Sequence, residues 1–283
     1  MRWNKVKKIG RAMFGIFMKN NVPRAAASLS YFLTLSIFPT LICLYHMLGN
    51  LAPPTEEVKG FLDGLMPEST ANTILSFLRY VSANRSVAML FAALIVLATC
   101  ASAAFRCVDN VTVEMRGVSR YSGLLAFVFS VVYSLLLVAA LYLAAIFILT
   151  GKWFLELIDR QLMFMNISDT WSWARFILLG LLLFVMLSWL YRVTAPRPAD
   201  RRGKPVRLLP GAVAAAAALL IVSMVFAGVI GVSAQYPLVY GSIASLALMM
   251  FWLYICGIIV FMGNALNVAL ERLDAEEKDA GSD

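Results

Sequence analysis

One histidine, four cysteines and a thin scatter of carboxylates are the side chains that this chain offers to metal ligation and to acid–base work near neutral pH. His46 stands alone, and Cys43, Cys100, Cys107 and Cys256 lie inside or beside apolar runs with no CxxC pair. With no histidine at ligand spacing, neither a metal site nor a disulfide framework is supported. The acidic residues fall in loops, apart from a cluster in the DAEEKDAGSD tail that reads as solvated. A hydrolytic site, a nuclease above all, needs acids, bases or metal ligands converging where substrate can reach them. No catalytic residue, metal or cofactor is therefore assigned, and no nucleic-acid partner is expected.

What remains is a set of small and polar side chains at helical spacing within apolar runs. Ser28, Ser36, Pro39, Cys43 and His46 fall within about a quarter of a helical wheel. Pro39 cannot donate to Leu35 and crowds its carbonyl, which predicts a kink or loosening there, with Ser36 near the freed group. Ser242, Met249, Cys256 and Gly263 recur every seventh residue, with Tyr240 just before them and Asn264 and Asn267 near the same face. Arg106, Asp109 and Asn110 form a third group, in which Arg106 can pair with Asp109 if one helix carries both. Each pattern admits two readings: a packing seam or solvated helix end, or a surface that lines a path for substrate or lipid. Ser28, Ser36, Pro39, His46, Tyr240, Ser242, Asn264 and Asn267 are the candidates for such a lining. Arg106, Asp109 and Asn110 are a candidate cytoplasmic cluster.

The elements that must position these residues are membrane spans. The chain has 283 residues, of which 61% are hydrophobic and 14% charged. With a mean hydropathy of +0.81, it lies outside the range of water-soluble domains. Roughly 20 apolar residues in a helix cross a hydrocarbon core. Apolar runs at about 26–47, 86–105, 123–150, 176–191, 211–232 and 243–266 predict an all-α, six-span polytopic bundle in a single membrane domain. The last two spans are separated by a polar break, SAQYPLVYGS. Segment 1–24 is basic, and its stripe of Trp3, Val6, Ile9, Met13 and Phe17 predicts an amphipathic helix drawn to anionic lipid. A topology-setting basic tail is the other reading. Between the first two spans, Val58, Phe61, Leu62, Leu65 and Met66 form one amphipathic stripe, and Ile74, Phe77, Leu78 and Val81 another. Both predict short interfacial helices over one mouth of the bundle. Residues 267–283 read as a solvated acidic tail.

The net charge of +8 points to lipid headgroups, because the basic residues sit in tails and short loops. Lys and Arg number seven through Arg24, three after the second span, six after the fourth and two at the C-terminal end, against six on the opposite side. That asymmetry places both termini of a multi-pass membrane protein in the cytoplasm.

Several stretches together resemble the YihY/BrkB family of bacterial inner-membrane proteins, long labelled ribonuclease BN-like. They are AAASLSYFLTLSIFP, DNVTVEMRG after the second span, PGA at 210–212, YGS at 240–242 and the closing FMGNALN. They cover nearly the whole chain in the family's order and spacing. The resemblance implies a helical bundle connected with envelope integrity, and lipid or envelope-polymer transport as its activity. Where family members commonly read Gly-Ala-Glu near the end of the last span, this chain has Gly263, Asn264 and Ala265. No role of that acidic side chain carries over.

No Asp, Glu, Lys or Arg occurs between Leu208 and Leu270. Carriers coupled to protons or sodium normally place such groups inside the bundle. The expectation is therefore a protein that moves or presents a lipid-like molecule, beside periplasmic or membrane protein partners that take it onward. The second reading is a non-transporting scaffold for envelope proteins.

Overall fold

The computed structural model describes residues 2–48, 59, 68–84, 86–117, 128–133, 135–136, 167–196, 207–232 and 236–279. Among the described residues the chain is helical, with no strand. Helix α1 (Arg2–Lys19) leads across Asn20 and Asn21 into α2 (Val22–Leu48). Asn21 makes that corner possible at φ 47°, a left-handed conformation that asparagine tolerates better than most residues. Pro39 lies buried within an otherwise continuous α2. The Ser36 hydroxyl donates to Leu33 O at 2.7 Å and Thr40 donates to Ser36 O at 2.6 Å. Ser36 is thus committed one turn back along its own helix, and not to the Leu35 carbonyl that proline releases.

Helix α3 (Glu68–Ala83) is the second of the two amphipathic stripes, with Ile74, Leu78 and Val81 buried. The stripe at 58–66 lies outside the described residues except for Lys59. Helix α4 (Val87–Arg116) runs 30 residues, well past the predicted span end at 105. It stops at Gly117, whose φ of 72° forms a left-handed cap with its N–H bonded to Val113 O at 2.7 Å. An added Cβ at Gly117 would touch nothing within 4 Å, so only backbone conformation opposes a side chain there. Gly117→Ala is expected to cost about 1 kcal/mol, measured as a small fall in melting temperature in detergent. Of the span predicted at 123–150, residues 128–133 and 135–136 are described and helical.

Helix α5 (Ile167–Thr194) and α6 (Leu209–Val232) precede α7 (Tyr236–Asp279), which has 44 residues. At 1.5 Å per residue α7 is about 66 Å long, roughly twice a hydrocarbon core. Two expectations change here. The predicted polar break is helical from Tyr236 onward, and residues 267–279 continue the same helix. Asn267, Val268, Ala269 and Leu273 are buried, because the apolar face that includes Phe261 and Ala265 runs on past the membrane-length segment. The stretch read as a solvated tail is packed as far as Leu273.

Helix α7 is the axis of the bundle and meets α1, α2, α3, α4 and α6, while α2 and α4 share the broadest face. The main core joins Ile16 and Val22 to Phe105, Val108 and Met115, Tyr191, Ala212 and Phe261. Contrary to a helix lying only on lipid, α1 inserts Ile16 into this core. Among the described residues four stretches are long and apolar enough to cross a membrane: Val22–Cys43, Val87–Arg116, Leu209–Phe226 and Leu246–Glu276. Their outer faces expose Phe91, Ile95, Ile221, Val225 and Phe251, apolar surface that water would penalise and hydrocarbon would not.

Candidate functional site

Three sequence stretches far apart in the chain meet at one end of the bundle: the end of α4, the start of α6, and α7 from Val260 to Asp274. On α7, Asn264, Asn267, Glu271 and Asp274 follow i, i+3, i+7 and i+10 spacing, which puts them along one face. The helix carries this polar face beyond its charge-free apolar stretch, so charged partners can reach it.

Asn264 is buried and donates from Nδ2 to Thr112 Oγ1 at 2.9 Å. The Thr112 hydroxyl donates in turn to Val108 O at 2.9 Å, so its lone pair is directed to the amide. Arg116, one turn after Thr112, donates to Glu271 at 2.6 Å and, at a long 3.4 Å, to Asn264 Oδ1. The Arg116 side chain is 5% exposed and that of Glu271 19%. The other Glu271 oxygen accepts the Arg207 N–H at 2.7 Å, and Arg207 Nε pairs with Asp274 at 2.7 Å. Arg272 donates to Met115 O at 2.8 Å, a cation on the open carbonyls at the end of α4.

Asn267, fully buried, bridges the start of α6. Its Oδ1 accepts the Gly211 N–H at 2.7 Å and its Nδ2 donates to Leu208 O at 3.0 Å. A first-turn N–H of α6 that has no partner within its helix is thereby satisfied from α7. Tyr191, at the end of α5, donates its hydroxyl to Val260 O at 2.7 Å. Gly211 and Gly263 let the two backbones touch: a Cβ on Gly211 would overlap the Gly263 carbonyl, and one on Gly263 would press on Tyr191 and Ala215. Asn267→Ala is expected to lower stability by about 2 kcal/mol, because the buried Gly211 N–H is left without a partner, while Leu208 O keeps the Ala212 N–H. Thermal melting in detergent reads this, and a loss under 0.5 kcal/mol or so would contradict it.

Beside this clasp, the end of α5 and the start of α6 border a cavity of about 750 Å³. Ser188, Trp189 and Arg192 line it from α5, and Arg207, Leu208 and Leu209 from α6 and the segment before it.

Of the sequence-predicted residues, Asn264 and Asn267 stand at the centre of the clasp. Ser28 meets α4, where Cys107 Sγ lies 3.3 Å from its hydroxyl, and Cys43 packs on Ala93 and Leu97. Ser36 and Pro39 lie along α2, and His46 Nδ1 is 3.0 Å from Ile42 O. Arg106 and Asp109 are half-buried and Asn110 is exposed on α4, one to two turns before the residues of that helix that join the site. Tyr240 and Ser242 belong to α7, but their side chains are outside the described residues. Thr112, Arg116, Tyr191, Gly211 and Glu271 are additions. Asn264, Asn267 and Glu271 share a spacing that, followed past the end of the apolar run, marks the face. Among the described residues no group of three or more His, Cys, Asp or Glu side chains could hold a metal.

The family model described as Virulence factor BrkB matches residues 13–283. The ribonuclease-like protein YfkH of Bacillus subtilis (strain 168) is 24% identical over 267 residues, covering 93% of this chain and 94% of that protein. A UPF0761 membrane protein of Aromatoleum aromaticum is 24% identical over 264 residues, covering 92% of this chain and 63% of that longer protein. No solved structure matches the chain.

Proposed function

The chain belongs to the BrkB family of membrane proteins, and from that premise we propose that it moves or presents a lipid-like molecule in the bacterial inner membrane. In this reading six spans place both termini in the cytoplasm, and the clasp and its cavity lie at the cytoplasmic face. Periplasmic or membrane protein partners carry the lipid onward, and the chain itself is not an enzyme.

The observation that carries the reading is the separation of charge from the spans. The apolar stretch of α7 and all of α6 have no Asp, Glu, Lys, Arg or His, while Arg116, Arg207, Glu271 and Asp274 gather at one end beside an open cavity. Such a bundle suits an amphiphile whose tails stay in hydrocarbon and whose headgroup meets polar residues at the boundary. The four acids and bases of the clasp are paired with one another, an arrangement that holds helices together and leaves none of them as a base for hydrolysis.

The test combines lipidomics of a deletion strain with native mass spectrometry of the purified protein. The expected result is a selectively retained lipid class and a changed distribution of that class between membranes. Finding neither would reject the reading. A stoichiometric crosslinked partner, without lipid movement in reconstituted vesicles, would favour the scaffold instead.

A further inference from the structure

We propose that the cavity between the end of α5 and the start of α6 is a binding site for the phosphate headgroup of an anionic phospholipid. The inference rests on the lipid reading above and adds to it a headgroup class and a place. Four observations carry it. The volume, about 750 Å³, is that of a small-molecule site, with room for a headgroup and the first methylenes of its chains. Both ionisable side chains named among its described lining residues are arginines, Arg192 and Arg207. The guanidinium fork matches phosphate oxygens in pairs. Arg207 pairs with Asp274 through Nε at 2.7 Å, and a guanidinium has five N–H donors, more than this one contact uses.

Leu208 and Leu209 make the opposite wall apolar, and Trp189 supplies the amphipathic ring that sits at headgroup depth in membrane proteins. Finally, the Ser188 hydroxyl is buried and has no hydrogen-bond partner among the described residues. A serine within an apolar helix ordinarily bonds back to its own backbone, as Thr112 and Thr194 do here. Ser188 borders the arginine-lined cavity but keeps its own hydroxyl enclosed, so a rotamer change of this side chain is what would offer the unpaired donor to a phosphate oxygen.

The experiment uses the full chain purified in neutral detergent, with melting temperature and native mass spectrometry as readouts. The probes are phosphatidylglycerol, phosphatidylcholine and glycerol 3-phosphate. Phosphatidylglycerol is expected to be retained about 10-fold over phosphatidylcholine and to raise the melting temperature, since a ligand that binds only the folded state stabilises it. Arg192→Gln should cut that preference about 10-fold, and Arg79→Gln, an exposed charge on α3, should leave it unchanged. Ser188→Ala should raise the melting temperature without lipid, by removing a buried unpaired donor, and shrink the gain that phosphatidylglycerol gives. This opposite pair of shifts decides the matter even if Arg192→Gln folds poorly.

Equal retention of the two lipids would overturn the site, as would an undiminished preference in folded Arg192→Gln. Stabilisation by glycerol 3-phosphate equal to that by phosphatidylglycerol would overturn it in favour of a soluble phosphate. Selective lipid movement in vesicles that Arg192→Gln leaves intact would remove the site and keep the wider reading. Retention at this cavity without lipid movement would keep the site and remove that reading.

Discussion

Glu271→Gln is expected to destabilise the folded chain by about 3 kcal/mol, the scale of breaking a buried ion pair from one side. The substitution keeps the size of the side chain, and its amide oxygen can still accept the Arg207 N–H that Glu271 holds at 2.7 Å. What it removes is the negative charge opposite Arg116, a guanidinium only 5% exposed. The remaining contact to Asn264 is 3.4 Å long, and Arg116 Nε already has no partner among the described residues. A cation so enclosed cannot recover its hydration without opening the clasp, so the expected response is fraying of α7 from α4 beyond Asn264. Removing both charges is a different matter. Arg116→Met with Glu271→Gln leaves no buried charge to solvate, and pairs replaced in this way are often neutral. The double variant is therefore expected to melt several degrees above Glu271→Gln alone. Melting curves of the two single variants and the double variant in one detergent test this, and simple additivity of the losses would contradict it.

The parts of the fold that depend on local chemistry were legible in the residues. Apolar runs of bilayer length gave α2, the membrane portion of α4, and α6. The Ile74, Phe77, Leu78 and Val81 stripe gave α3. The ends of the long helices were not legible, for a physical reason. Hydropathy marks where a helix leaves hydrocarbon, not where it stops, and α4 goes on from Phe105 to Arg116 because Val108, Val111 and Met115 keep a buried face against the bundle, until Gly117 turns the chain. Likewise α7 begins within the predicted break, at Tyr236, and continues to Asp279. The clasp lies in those extensions. Asn264 and Asn267 could be singled out as polar residues at the end of a span, but their partners depend on which helices touch. Thr112 and Arg116 lie about 150 residues from Asn264 and Glu271 in sequence, and nothing local declares that pairing. Three of the five stretches that suggested the family, DNVTVEMRG, PGA and FMGNALN, supply Thr112 and Arg116, Gly211, and Gly263 with Asn264 and Asn267. They are contact surfaces of one junction, each weak as a local pattern because its meaning is in the other two.

The two glycines of that junction give a prediction in which sign, and not only size, is informative. Replacing glycine by alanine within a helix ordinarily stabilises it by up to about 1 kcal/mol. At Gly10 and Gly15 of α1 an added Cβ meets nothing within 4 Å, so Gly10→Ala and Gly15→Ala are expected to raise the melting temperature slightly. At Gly211 the same methyl would overlap the Gly263 carbonyl and the Asn267 amide, and at Gly263 it would strike Tyr191 Oη, Ala215 and the Gly211 carbonyl. Three of these obstacles are two backbone oxygens and the Ala215 methyl, which is fixed to its own backbone, and none can swing aside as a side-chain tip does. The helices must separate, at a cost of about 1–3 kcal/mol for overpacking. Separation also strains two buried hydrogen bonds, Gly211 N–H to Asn267 and Tyr191 to Val260 O, each contributing about 1 kcal/mol. The net expectation for either Gly211→Ala or Gly263→Ala is a loss of about 3 kcal/mol, which overrides the propensity gain. Since Gly211 borders the same turn as Leu208 and Leu209, a displaced α6 also shifts one wall of the cavity while leaving Arg192 in place on α5. Melting temperatures of the four variants in one detergent are the measurement. If the junction glycines behave like those of α1, then α6 and α7 are not in backbone contact, and the clasp does not set the distance between them.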